Sequence, residues 1–264
     1  MYGHIEHWRS MDKRKAAMID ILANAEQVSV RDLAERFAVS GMTIRRDLDE
    51  LGKQGLVVRT HGGAVSSGKL RFIHGALPDF EVSKAKAAIG EHAAALVKPG
   101  QMIMVDTGTT ALEVARHIPR DPSITVVTTS LGVAQELYRS DLNVLLLGGF
   151  LRREFPSVYG PMTEKLLGEI RVDTLFIGCD GAFSDDGFYS NDLHVSSLEQ
   201  AMTQIASQIV VVTEGAKFGR RAFSRYATVQ EVNVVVTDSG ISTEDRRNLE
   251  ERGVTVVVAD SSTA

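Results

Sequence analysis

Apolar positions near the start of the chain recur at helical spacing; further on they gather into short unbroken runs. Met18, Ile21, Leu22 and Ala25 stand at i, i+3, i+4 and i+7, which predicts one helical face. Val30, Leu33, Ala34 and Phe37 repeat that spacing behind Ser29, a residue suited to capping a helix start. Ala38-Val39 makes a short turn and Ser40 offers a second cap. Ile44, Leu48 and Leu51 then form the inner face of a third helix, ended by Gly52 and Gly55. Leu56-Val57-Val58-Arg59-Thr60 reads as a strand, with Gly62-Gly63 as the turn of a β-wing.

From Ser83 onward the pattern changes to alternating strand and helix. Unbroken apolar runs stand at 102–105, 125–127, 144–147, 175–177, 209–212, 232–236 and 254–258. Amphipathic stretches separate most of them, at 85–97, 111–118, 133–138 and 244–252. Strands covered on both faces carry such runs, and helical crossovers between them make the sheet largely parallel. The expected architecture is α/β, with three parts: a winged helix-turn-helix over residues 11–66, a linker over 67–82 interrupted by Gly68, Gly75 and Pro78, and a layered α/β domain over 83–264.

Composition changes this picture little. The 264 residues are 44% hydrophobic and carry a net charge of −5. That total conceals an asymmetry: residues 1–70 hold 11 Lys/Arg against 9 Asp/Glu, so the slight basic excess falls on the helical end. A single cysteine, Cys179, excludes an internal disulfide framework and reads as a small buried hydrophobe. No apolar run is long enough for a membrane helix, the N-terminus lacks the layout of a secretory signal, and the cytoplasm is the expected compartment. Met11-Asp12-Lys13-Arg14 reads as a natural start, which makes residues 1–10 an alternative start or an added segment.

The chemistry-bearing stretch of the first part is Ser40-Gly41-Met42-Thr43-Ile44-Arg45-Arg46-Asp47-Leu48. With Ile44, Leu48 and Leu51 turned inward, Met42, Thr43, Arg45, Arg46, Asp49 and Lys53 flank the other side. Such a helix can lie in the major groove, where Arg reads guanine in bidentate fashion and Thr meets a base edge or a thymine methyl. Arg59 and His61 on the wing suit phosphates or the minor groove. The DNA-facing set is therefore Ser29, Ser40, Met42, Thr43, Arg45, Arg46, Lys53, Arg59 and His61. An isolated Arg-Arg pair is more often a solvated helix face; here two helices, a tight turn, caps and a wing accompany it in order.

In the second part, Asp106-Thr107-Gly108-Thr109-Thr110 ends a strand and enters a helix. Free N–H groups, a permissive glycine and hydroxyls make an anion cradle there, although an ordinary capped βα turn uses the same residues. Thr128-Thr129-Ser130 offers a second helix start at the same sheet edge, where α/β ligands collect. The sequence calls for no metal and no cofactor.

These stretches resemble the DeoR family of regulators. Arg14, Met18 and Leu22, then Ser40 with Thr43–Leu48, match its helix-turn-helix signature, and Arg59-Thr60-His61-Gly62-Gly63-Ala64 is similar to its wing. Residues 80–240 resemble the family's sensor domain, which implies a fold related to ribose-5-phosphate isomerases and CoA transferases. Gly148-Gly149-Phe150-Leu151-Arg152 is similar to a family Gly-Gly-x-Leu-Arg stretch, with Arg152 left between a phosphate and a structural carboxylate. Asp180, in Gly178-Cys179-Asp180-Gly181, stands where related isomerases hold sugar hydroxyls, unless it is a turn-forming Asp-Gly pair. Glu199 looks like the family's acidic residue, facing ligand or solvent. Glu214-Gly215-Ala216-Lys217-Phe218-Gly219 resembles Asp-Ser-Ser-Lys-Phe-Gly, with Lys217 as a charge for phosphate; Glu replaces Asp and both serines are missing. The effector set is Asp106, Thr107, Gly108, Thr109, Thr110, Ser130, Gly149, Arg152, Asp180, Glu199 and Lys217.

The resemblance implies a homo-oligomer, dimer or tetramer, that represses a sugar-catabolic operon and leaves its double-stranded operator when a phosphorylated sugar binds. Two other readings compete with it: residual isomerase chemistry using Asp106, Asp180 or Glu199, and an α/β part serving only oligomerisation. Neither a hydrolase nor a metalloprotease motif nor a Walker loop is present, and a shared scaffold does not transfer a reaction.

Overall fold

The computed structural model describes residues 13–23, 28–53, 57–60, 62–66, 83–152 and 155–259. Residues 1–10, Ala25, Gly55, Leu56, His61 and the expected linker lie outside them. The chain divides into two compact units, Met1–Asp79 and Phe80–Ala264.

In the first unit, α1 (Lys13–Ala23), β1 (Val28–Ser29), α2 (Val30–Phe37) and α3 (Gly41–Lys53) precede the wing strands β2 (Val57–Thr60) and β3 (Gly63–Ser66). Ser29 caps α2, its Oγ accepting from Asp32 N–H at 3.0 Å, and Ala38 ends that helix in the left-handed region at φ 52°. Ser40 Oγ likewise accepts from Thr43 N–H at 3.2 Å at the start of α3. The anticipated inner faces meet in one small core, in which Met18, Leu22, Leu33, Ile44, Leu48 and Leu51 are fully buried. Two local details differ from expectation. Helix α3 continues through Gly52 to Lys53, and the wing gains a third strand because Val28 and Ser29 pair with Ala64 and Gly63.

The second unit is built on a seven-stranded parallel sheet. Its strands are β4 (Met102–Val105), β5 (Thr125–Thr128), β6 (Asn143–Leu146), β9 (Val172–Ile177), β12 (Ala206–Val212), β14 (Val234–Asp238) and β15 (Thr255–Ala259), in the order 15-14-12-9-4-5-6. All seven apolar runs become these strands. Alternate side chains feed two cores, one on each face. Ile103, Val105, Phe176 and Val210 pack against α4 (Lys84–Ala94), α5 (Thr109–His117) and α6 (Leu131–Leu137). Met104, Leu175, Ile177 and Val211 pack on the other side with α7 (Pro161–Gly168), α8 (Leu193–Ile205) and α9 (Thr243–Glu251).

Two small antiparallel sheets are added: β7 (Phe150–Arg152) with β8 (Ser157–Tyr159), and β10 (Gly181–Phe183), β11 (Gly187–Ser190) and β13 (Ser224–Thr228). On the first face, α4 crosses α5 at closest approach. A Cβ at Gly90 would meet the Glu113 carbonyl carbon at 2.5 Å, so only glycine fits. Among the described residues no helix is long and apolar enough to cross a membrane.

Candidate functional site

Helix α3 turns its arginines to water. Met42 is 72% exposed, the Arg46 side chain 84%, and Arg45 and Lys53 are also exposed. The acidic residues of the helix are drawn elsewhere. Asp47 is buried and takes Arg14 Nε at 2.7 Å, tying α3 to α1. Lys15 bonds Glu50 and holds that carboxyl below its usual range. Arg46 lies 3.6 Å from Glu50, an exposed i,i+4 pair of small energetic weight, and Arg45 has no carboxylate partner among the described residues. From the wing, Arg59 reaches the Arg45 carbonyl at 3.4 Å and Asp49 at 3.5 Å, aligning β2 with the helix.

Ser40, Met42, Thr43, Arg45, Arg46, Lys53 and Arg59 thus belong to one helix and the strand bonded to it. Ser29 sits apart on β1 with its hydroxyl used as a cap.

In the second unit a cleft of about 640 Å³ opens at the carboxyl ends of the central strands. Nine of the eleven expected effector residues line it: Asp106, Thr107, Gly108, Thr109, Thr110, Arg152, Asp180, Glu199 and Lys217. Gly108 is the N-cap of α5 at φ 134°, a conformation natural to glycine, and the helix start from Thr107 to Ala111 lines the opening. Ser130 and Gly149 are not among the lining residues. Ser130 is buried, its Oγ accepting from Val133 N–H at 3.2 Å to cap α6.

The lining carries five carboxyls (Asp106, Asp180, Asp192, Glu199, Glu214) against three cations (Lys86, Arg152, Lys217), a balance that by itself would repel an anion. Burial of two of these carboxyls offsets it in part. Loss of solvation pushes Asp106 up to about 7, and Glu199 well above the usual carboxylate range, with the Asp106 charge adding to the effect. Ser190 Oγ donates to Glu199 at 2.5 Å. Glu199 is therefore a buried acid whose protonated form is favoured, and not a solvated helix residue. Arg152 lines the cleft and lies 3.4 Å from the Asp192 carboxylate. Lys86 lies 3.5 Å from Glu214. Asp180 accepts from Asn191 N–H at 2.9 Å. Among the described residues Lys217 has no ion-pair partner, and the buried hydroxyl of Thr129, another lining residue, has no hydrogen-bond partner.

A ligand that satisfies this set offers an anion to Lys217 and the α5 start, and hydroxyls to the buried acids and Thr129. Cys179 donates to Thr213 Oγ1 at 3.1 Å, and lost solvation pushes its thiol up to about 12, far from nucleophilic.

Sequence reasoning did not identify Lys86, Thr129, Ser190, Asp192 or Glu214 as lining residues. Most come from short elements with no hydrophobic period to reveal them. The available signals were the departure of Glu214 from the family pattern and the place of Thr129 in the stretch Thr128-Thr129-Ser130 at the sheet edge.

Two family models cover the chain: a DeoR-like helix-turn-helix domain matches residues 14–69 and the DeoR C terminal sensor domain matches residues 81–239. The chain is 34% identical over 248 residues to the HTH-type transcriptional regulator GlpR of Haloferax volcanii, covering 93% of this chain and 96% of that one. It is 30% identical over 239 residues to the glycerol-3-phosphate regulon repressor of Escherichia coli K12, covering 86% and 90%. Ribose 5-phosphate isomerase A from Methanocaldococcus jannaschii aligns with half of the chain (50%, and 53% of its own) at 18% identity and TM-score 0.36, a likeness too loose to carry an activity.

Proposed function

This chain belongs to the DeoR family of DNA-binding transcription regulators, and from that premise we propose that it represses a sugar-catabolic operon and releases it when a phosphorylated sugar occupies the C-terminal cleft. Arg45 and Arg46 read base edges from the major groove, with Thr43 and Met42 beside them, while Lys53, Arg59 and His61 hold phosphates. Because one chain presents one reading helix, the working form is a symmetric oligomer matched to a two-fold operator. A regulator of chromosomal DNA works in the cytoplasm.

The observation that supports the sensor role most strongly is the cleft itself. It combines a lysine with no ion-pair partner among the described residues, a helix start and an orphaned threonine hydroxyl with two carboxyls whose protonated form burial favours. That mixture suits a molecule with one phosphate and several hydroxyls. Nothing in it requires turnover, and the named relatives are regulators.

Thermal-shift screening of the full chain against a panel of sugar phosphates tests the proposal, because a ligand of the folded form raises its apparent stability. The expected hit also weakens binding to a DNA fragment selected in vitro on this protein, and is recovered unchanged. A chain that ignores every member of the panel would defeat the sensor reading; conversion of the sugar would put the enzyme reading in its place.

A further inference from the structure

Lys86 and Glu214 lie far apart in the sequence of the second unit and meet at the cleft. Ser83 Oγ caps α4 by accepting from Lys86 N–H at 3.2 Å, and donates its own proton to Glu214 Oε1 at 3.1 Å. The other oxygen of Glu214 lies 3.5 Å from Lys86 Nζ. One carboxylate therefore holds both the capping hydroxyl and the cation of the first turn of α4. Glu214 belongs to the same loop as Lys217, just before the short 3-10 turn Gly215–Lys217. Lys86 and Glu214 both line the cleft, with side chains about a quarter exposed (23% and 24%).

A carboxylate against a lysine, in a cleft whose other parts are arranged for an anion, is an internal occupant of that lysine. The unpartnered Thr129 hydroxyl points independently to a ligand in the same space. A phosphate carries up to two charges and three acceptor oxygens, so it can outcompete a single carboxylate for a partly desolvated ammonium. We propose that Lys86 is a phosphate-binding residue of the cleft and that Glu214 is its resting counter-ion, displaced when the phosphate of the effector arrives.

The inference rests on the reading of the cleft as the effector site, and it supplies what that reading lacks, a moving part. Displacement of Glu214 releases the Ser83 hydroxyl and frees the first turn of α4. That turn directly follows the segment joining the sensor domain to the DNA-binding unit, so occupancy of the cleft is converted into a change at the start of α4.

The test uses the full chain with inorganic phosphate as the probe, followed by isothermal titration and hydrogen exchange. Glu214→Gln, which keeps the shape and removes the charge, is expected to bind phosphate about two- to fivefold more tightly than the parent, the scale of a solvent-accessible ion pair. Lys86→Met is expected to bind it roughly tenfold or more weakly, as for a lost hydrogen bond to a charged group. Without any ligand, Glu214→Gln should exchange amides faster at residues 84–88 and nowhere else in the sensor domain. Glu214→Asp, one methylene shorter, should fall between Gln and the parent, and it serves as the probe if Gln does not fold.

Unchanged or weaker phosphate binding in Glu214→Gln, or parental binding in Lys86→Met, overturns the exchange while leaving the sensor reading intact. A parent chain that binds neither phosphate nor any sugar phosphate overturns both.

Discussion

In the N-terminal unit the groups expected to meet DNA lie close in sequence, Ser40 to Lys53 on one helix with Arg59 on the strand that follows, and they stand in water. In the C-terminal unit the cleft gathers Asp106, Arg152, Asp180, Glu199 and Lys217 from elements far apart in the chain and shuts Asp106 and Glu199 away from solvent. Electrostatics follow the same division. On the reading head Lys15 lowers Glu50, as an exposed neighbour does; in the cleft burial raises Asp106 and Glu199. DNA, a polyanion met at the surface, calls for hydrated cations on a rigid rod, whereas a small ligand buried in a cleft calls for groups already stripped of water.

The sharpest way to break this contrast is to empty the small core. Leu48 is fully buried, and Leu48→Ala should cost about 2–5 kcal/mol. In calorimetry the N-terminal unit should melt early and the C-terminal transition should stay put. A joint shift of both transitions would mean that the two do not fold separately.

Next in size is the buried acid. Asp106 is raised from 3.8 to about 7, so between those values the folded chain keeps a proton that the unfolded chain has lost. Stability therefore falls as pH rises through that window, by up to about 4 kcal/mol, and levels off above it. Asp106→Asn removes this loss, and its melting advantage over the parent should widen from pH 4 to pH 7. A gap that stays constant or narrows would show that Asp106 is solvated.

Lys217→Ala should weaken effector binding by about 1.5–3 kcal/mol, roughly 10- to 150-fold, with operator affinity untouched. Titration calorimetry and fluorescence anisotropy on the same preparation check both halves. Arg45→Ala or Arg46→Ala should do the reverse, costing about 1–3 kcal/mol of operator binding each, with oligomer size and effector binding unchanged. Equal operator affinity in either variant would remove that arginine from the reading face.

The two regions also differed in how far the sequence revealed them. Seven apolar runs became seven sheet strands: the central ones are covered on both faces, so no polar position interrupts them, whereas the edge strand β6 keeps its apolar run although it is exposed. The reading head was legible because its motif is local and its period is helical. In the cleft, strand-end stretches exposed Asp106 to Thr110, and family resemblance exposed Arg152, Asp180, Glu199 and Lys217.

What stayed hidden arose from tertiary placement. Lys86 reads as one more lysine on an amphipathic helix until its neighbour across the sheet end is known. Ser130 was expected in the site because a serine at a helix start looks the same whether it binds a ligand or closes its own helix. Glu199 gave no sequence sign of burial, since an acid in a helix defaults to solvent.

The missing side chain at Gly90 has a mechanical consequence. With backbone nearly touching backbone, α4 cannot slide over α5 as helices cushioned by large side chains do; the two can only pivot as a single strut about that crossing. One end of the strut is the amide-rich start of α5 at the cleft, and another is the first turn of α4 beside the tether to the reading head. A ligand that tugs one end by a fraction of an ångström must displace the other, because no soft layer lies between them to absorb the motion.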